Sequence, residues 1–181
     1  MKKLKKYKNI FFYSIFYRQI CMSLAIERLQ QERKRWRQDH PKGFIARPRK
    51  LADGTLDLFN WDCLIPGKEG SIWHGGFYPL TLIFPETYPA NAPLAKFVPP
   101  VPHVNVFPSG TVCLSILHDD DGWKPSITLR QILIGIQSLL DNPNPESPAH
   151  QEHYNNYVLK RNIYDKNIIE HKKRFTKETL D

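Results

Sequence analysis

Between residues 58 and 65 apolar and polar residues alternate, placing Phe59, Trp61, Cys63 and Ile65 on one face. That period of two is the mark of a half-buried strand. A second alternation gathers Tyr78, Leu80, Leu82 and Phe84, and short apolar runs at 44–47 and 95–98 supply two more strands. The links between them are short and rich in turn formers, as at residues 66–70, so neighbouring strands are expected to pair antiparallel. Pro79 lacks an N–H and is expected near a strand end or sheet edge. Elsewhere the period is helical. Ala25, Leu29 and Trp36 share one side of a helix that Ser23 would cap and that should stop at His40-Pro41. Thr128 and Gln131 form a capping box ahead of the apolar stripe Leu129, Ile132, Leu133, Ile136 and Leu140. Ser147-Pro148 reads as the cap and first residue of a short helix carrying Tyr154 and Tyr157. A last helix, near residues 160–175, carries Ile163, Tyr164 and Ile168. The elements describe an α/β (α+β) domain: an N-terminal helix, a four-stranded antiparallel sheet and C-terminal helices.

Composition narrows the class. With 181 residues, 41% hydrophobic and 24% charged, the chain has material for one domain with a real core. No stretch of eighteen apolar residues could span a bilayer. Cys21, Cys63 and Cys113 are an odd number with no Cys-x-x-Cys pair, which suits a reducing compartment better than a disulfide framework or a zinc site. The net charge of +8 is concentrated at the front: residues 1–50 hold fifteen Lys and Arg against three acids. A basic front suits nucleic acid, an anionic surface or an acidic protein partner, and the count does not choose among them. Residues 1–21 begin with Lys2, Lys3, Lys5, Lys6 and Lys8 and run into Ile10-Phe11-Phe12-Tyr13. They lack the small-x-small cleavage site of a secretory signal. The expectation is a basic, aromatic extension outside the fold, with residues 22–178 forming the domain.

One stretch follows neither period. Residues 103–117 place His103 and Asn105 before the turn Pro108-Ser109-Gly110 and the lone Cys113 after it. Doubling back there would bring Asn105 beside Cys113. A thiol next to an amide donor suits acyl transfer: the thiolate attacks a carbonyl and the N–H steadies the oxyanion. Against this, a free Cys usually just packs. A thiol protease would need a base such as His103, His118, His150 or His153, and no protease signature surrounds Cys113. His118 with the acidic run 119–121 has the spacing of no known cation loop, so no metal is expected. Thioester exchange needs no tightly paired base, because a free thiol is already a few per cent thiolate at neutral pH.

These residues resemble the ubiquitin-conjugating enzyme family. In its active segment a His-Pro-Asn turn precedes the thioester-forming Cys; here the tripeptide is His103-Val104-Asn105. Ile65-Pro66-Gly67-Lys68, Trp73-His74-Gly75-Gly76 and Tyr88-Pro89 are similar to its other markers. Three features resemble the branch that conjugates SUMO: Ser109 to Leu117, the basic helix segment Arg33-Lys34-Arg35-Trp36-Arg37 with Asp39-His40-Pro41, and the acidic insertion at 118–122.

The resemblance implies a transferase. Cys113 would accept SUMO from the activating enzyme as a thioester and pass it to a target lysine. Asn105 would stabilise the oxyanion or brace the loop that does so, with His103 and Ser147 supporting the site. Phe107, Ser109, Thr111, Pro148 and Ala149 would border the target lysine and its motif. Arg33, Lys34, Arg37 and His40 would dock the activating enzyme and SUMO. The implied partners are SUMO, its activating enzyme, target proteins and SUMO ligases, with the chain acting as a monomer in nucleus and cytoplasm. No nucleic acid, membrane or cofactor is implied, since the activating enzyme consumes the ATP. Phe107 stands where Tyr is usual, Leu94 where Lys is common and Ser147 where Asp is usual, so readout of the target motif departs from the family pattern. Two other readings stay open: a ubiquitin-charging enzyme with the same chemistry, and a noncatalytic binding module of the same fold.

Overall fold

The four alternating segments pair as the period predicts. A computed structural model describes residues 2–120 and 122–176, with side chains from Tyr17 onward; Asp121 and the last two residues of the expected 22–178 domain lie outside the described residues. Strands β1 (Ile45–Lys50), β2 (Leu56–Pro66), β3 (Phe77–Ile83) and β4 (Leu94–Phe97) form one antiparallel sheet in the order β1-β2-β3-β4. Cys63 faces Leu80 across one ladder and Leu80 faces Phe97 across the next, so the alternating residues form a continuous apolar face. Trp61, Ile65, Leu82 and Phe97 on it are fully buried. Cys63 is a core residue, and burial pushes its thiol well above the ordinary range. Pro79 lies inside the sheet but near the start of β3. The β3–β4 ladder begins only at Leu80, so the missing N–H removes no rung.

Two helices cover that face. In α2 (Leu129–Asp141) the predicted capping box forms, and Leu129, Ile132, Leu133, Ile136, Leu139 and Leu140 are buried. Helix α1 (Lys2–Gln38) presents Ala25, Leu29 and Trp36 to the core. It does not begin at Ser23, which lies within the helix. No Gly or Pro interrupts residues 2–40, and the helix stops only where Pro41 forbids its continuation. Arg18, about two turns ahead of Ala25, makes a bidentate pair with Glu86 at 2.7 and 2.8 Å.

The two helices are joined by a buried acid that periodicity does not flag. Glu32, 3% exposed, pairs with Arg28 and accepts the first backbone N–H of α2, that of Leu129, at 3.2 Å. A carboxylate there satisfies a donor that the helix leaves open and sits at the positive end of its dipole. Arg28 in turn donates to the carbonyls of Pro125 and Ile127 at 2.9 and 3.0 Å. The Arg28–Glu32 pair therefore fixes α1 against the segment leading into α2.

The C-terminal helices are α3 (Gln151–Leu159) and α4 (Arg161–Lys172). The cap of α3 is His150, not Ser147. The backbone N–H groups of Ala149 and His150 are both donated to the carbonyl of Val104, which holds residues 147–150 extended along the active segment. Helix α4 buries Tyr164, Ile168 and His171. His171 stacks on Tyr78 and packs against Phe175.

Two buried histidines couple this packing to pH. Burial lowers His103 to about 3, opposed only in part by the carbonyls of Leu139 and Leu140. It lowers His171 to about 4, with Arg174 acting in the same direction. Both are neutral in the native state at neutral pH. Below about 6.5 the unfolded chain takes protons that the native state refuses, so stability falls as pH drops from 6.5 towards 4. Each histidine should cost roughly 1.4 kcal/mol per pH unit within that window. Urea unfolding at pH 7 and pH 5 should show the loss. His171→Phe, which keeps a ring against Tyr78, should make the profile shallower; an unaltered slope would remove His171 from this account.

Candidate active site

The active segment folds as a hairpin on the open edge of β4. Phe107 and Gly110 close the turn, with Gly110 N–H donated to Phe107 O at 2.8 Å and Phe107 N–H to Thr111 O at 2.9 Å. Val106 then bridges Val112. Gly110 has φ +90°, and a Cβ there would lie 2.2 Å from the carbonyl oxygen of Phe97, so the turn needs glycine for both conformation and space. Phe97 N–H is donated to Gly110 O and Val112 N–H to Ala95 O, each at 2.9 Å, which ties the hairpin to the sheet.

The fold brings Asn105 and Cys113 together through the backbone. Cys113 N–H is donated to Asn105 O at 2.8 Å, and the Cys113 side chain is half-exposed. The Asn105 side chain, however, points into the protein and is 1% exposed. Its Nδ2 donates to Asn144 O at 2.7 Å and Ser147 O at 2.9 Å, and its Oδ1 accepts from Asn144 N at 2.8 Å. The expectation of an amide N–H beside the thiol is corrected here. A buried amide must satisfy its polar groups, and the loop 144–147 offers them all. The side chain thus ties the loop 144–147 to the active segment.

His103 is fully buried, and its Nδ1 accepts the backbone N–H of Asn105 at 3.0 Å. The proton therefore resides on Nε2. A neutral, enclosed imidazole with this bond shapes the turn and has no path to act as a base. Val104, where the family carries Pro, is also fully buried. Its carbonyl takes the two N–H groups of Ala149 and His150, and Val106 N–H closes the turn on His103 O at 3.2 Å. The turn is thus held by packing and hydrogen bonds without the fixed dihedral of Pro.

Around the thiol the predicted target-side residues are exposed or half-exposed. Phe107, Ser109, Ser147 and Pro148 lie at the surface, with Thr111 and Ala149 partly covered. Ser109 Oγ donates to Thr111 Oγ1 at 3.0 Å. Leu94 is 45% exposed, an apolar side chain where a cation is the family habit. His118, weighed from the sequence only as a protease base or cation ligand, is a neighbour of the thiol. The 3₁₀ turn Ser115–Leu117 bends the chain so that His118 Nε2 lies 3.9 Å from Cys113 Sγ. Its spacing of five residues from Cys113 fits no periodic element, so the turn is what distinguishes it from the other candidate histidines.

The residues expected to dock partners lie elsewhere, on α1 and just after it. Arg33 and Lys34 line a shallow depression of about 360 Å³ with Arg37. Arg33 and Arg37 also border a groove of about 550 Å³ whose other wall is Arg47, Arg49 and Lys50 of β1. Asp62, paired with Arg49 at 2.8 Å, is the one acid among the groove's lining residues. His40 is exposed, stacks on Trp36 with ring centroids 5.4 Å apart, and meets Trp36 O at 3.0 Å.

The sequence is similar to those of known proteins. The chain is 51% identical over 157 residues to the SUMO-conjugating enzyme UBC9 of Caenorhabditis elegans, covering 87% of this chain and 95% of that protein. It is 51% identical over 155 residues to the SUMO-conjugating enzyme SCE1 of Arabidopsis thaliana, covering 86% and 92%. Residues 28–172, from the Arg28 clamp to the end of α4, match the family described as ubiquitin-conjugating enzyme, and the chain belongs to that family.

Proposed function

We propose that this chain is a SUMO-conjugating transferase that carries the modifier as a thioester on Cys113. The observation that carries the reading is the identity of 51%, across nearly the whole length, to two proteins named SUMO-conjugating enzymes. The site supports it chemically: a half-exposed thiol on a hairpin fixed to a sheet edge. Residues 22–178 supply this catalytic core, acting as a monomer without a cofactor of its own. Action in nucleus and cytoplasm rests on the resemblance to the SUMO branch alone.

In the first step Cys113 thiolate attacks the thioester that joins SUMO to the activating enzyme, and the modifier moves to Cys113. In the second, a target lysine amine attacks the new thioester, and an isopeptide bond replaces it. Asn105 contributes as a brace: it fixes the loop 144–148 against the hairpin, so Ser147, Pro148 and Ala149 border the attacking lysine at a constant distance from sulfur. The basic groove between α1 and β1 attracts the acidic surfaces of the activating enzyme and SUMO.

Incubation with SUMO, its activating enzyme and ATP should give an adduct that reductant removes, and ubiquitin with its own activating enzyme should give little. Cys113→Ser should give an adduct that reductant leaves intact, or none; a reducible adduct in that variant would sink the assignment. Asn105→Ala should charge normally and discharge to lysine roughly a hundredfold more slowly, the order of loss that misplacement by an ångström brings. As a brace it should also lose about 1–3 kcal/mol of stability, because buried partners in the loop go unsatisfied. Slow discharge at unchanged stability would instead make Asn105 a direct oxyanion donor. Arg33→Glu with Arg37→Glu should slow charging, most strongly at low salt, and leave discharge of the charged protein unaltered. Equal charging rates would move the docking surface elsewhere.

A further inference from the structure

We propose that His118 is a catalytic residue of the charging step, accepting the Cys113 proton and holding the resulting thiolate as its ion pair. This rests on Cys113 being the thioester-forming residue. The geometry has three parts. His118 Nε2 is 3.9 Å from Cys113 Sγ, within reach of a thiol–imidazole contact for the larger sulfur atom. The imidazole is exposed and the thiol half-exposed, so solvent reaches both. The backbone beneath the imidazole is fixed. His118 N–H is donated to Ser115 O at 3.0 Å, and its carbonyl accepts Gly122 N–H and Trp123 N–H at 3.1 and 3.0 Å. Trp123 is itself anchored through Nε1 to Pro89 O at 2.9 Å.

Asp119, next in the chain, is turned away: its carboxylate accepts Ala92 N–H at 2.6 Å and Asn91 Nδ2 at 3.1 Å. Asp120 and Lys124 follow on the same loop, and Lys96 stands beside Thr111 across the hairpin. His103, the other imidazole near in sequence, is enclosed and already bonded to the Asn105 backbone. His150 and His153 pack against each other at the start of α3.

The step balances without a further reactant. The Sγ–H proton moves to His118 Nε2. The Sγ electron pair forms the new bond to the SUMO carbonyl carbon while the bond to the activating enzyme's sulfur breaks, and that sulfur leaves with the electron pair. His118 then returns its proton to solvent or to the departing thiolate. A side chain without a basic nitrogen at this position would remove that proton acceptor from beside Sγ.

The test is the pH dependence of Cys113 alkylation by iodoacetamide, followed on the Cys113 peptide by mass spectrometry in the full-length protein. The parent protein should react about threefold or more faster than His118→Gln at pH 7, and the two curves should converge in strongly alkaline solution, where hydroxide serves as proton acceptor for both. Single-turnover charging should fall by a similar factor in His118→Gln. Superimposed alkylation curves, with matching urea unfolding to show that both proteins are folded, would overturn the inference. Alkylation needs no partner protein. A histidine-dependent curve without any SUMO adduct would therefore count against the proposed function, whereas a SUMO adduct with superimposed curves would count against His118 alone.

Discussion

The amide of Asn105 is the constraint on which the site depends. Three hydrogen bonds run from one side chain to a loop about forty residues further on, and its backbone carbonyl takes the N–H of Cys113. Two segments distant in sequence are thus tied at one buried residue. Loop-closure entropy makes such a tie costly to form, and burial makes it costly to break. His103 and Val104 serve the same junction from either side: one accepts the Asn105 N–H, and the other receives two N–H groups from the start of α3. The thiol is positioned by this knot and needs no rigidity of its own.

Charge is divided between two regions with different duties. Arg28 and Glu32 point inward, where Glu32 is nearly enclosed and its carboxylate meets the start of α2. Removing one partner would strand the other in a poorly hydrated place. Arg33 and Arg37, farther along the same helix, point outward and face the β1 cations across an open groove. One helix therefore carries both the charge that holds the domain together and the charge available to partners.

Much of this was legible in the sequence, and the failures share a cause. The sheet, the α2 stripe and the capping box are local, so alternation and a four-residue motif suffice to find them. Ser23 was misleading because a good capping residue does not end a helix when the preceding chain is helix-compatible. Ser147-Pro148 was misleading because Val104, distant in sequence, claims the neighbouring N–H groups. The Asn105 orientation, the Glu32 contact with α2 and the approach of His118 to Cys113 all depend on where another segment lies. No periodicity encodes that. The thiol itself was found through its surrounding motif, since a lone Cys in an apolar run has no signal of its own.

The hairpin also changes what the sheet exposes. By accepting from Phe97 and donating to Ala95, it occupies the polar row along β4 that would otherwise face outward. The opposite edge, β1, protects itself differently, with a register shift at Pro48 and the cations Arg47, Arg49 and Lys50. Only the β4 edge relies on a functional segment for its cover. A lesion that loosens the Gly110 turn would therefore do more than misplace a thiol: it would uncover a short adhesive strand, and the damaged protein would be prone to clump with its own kind.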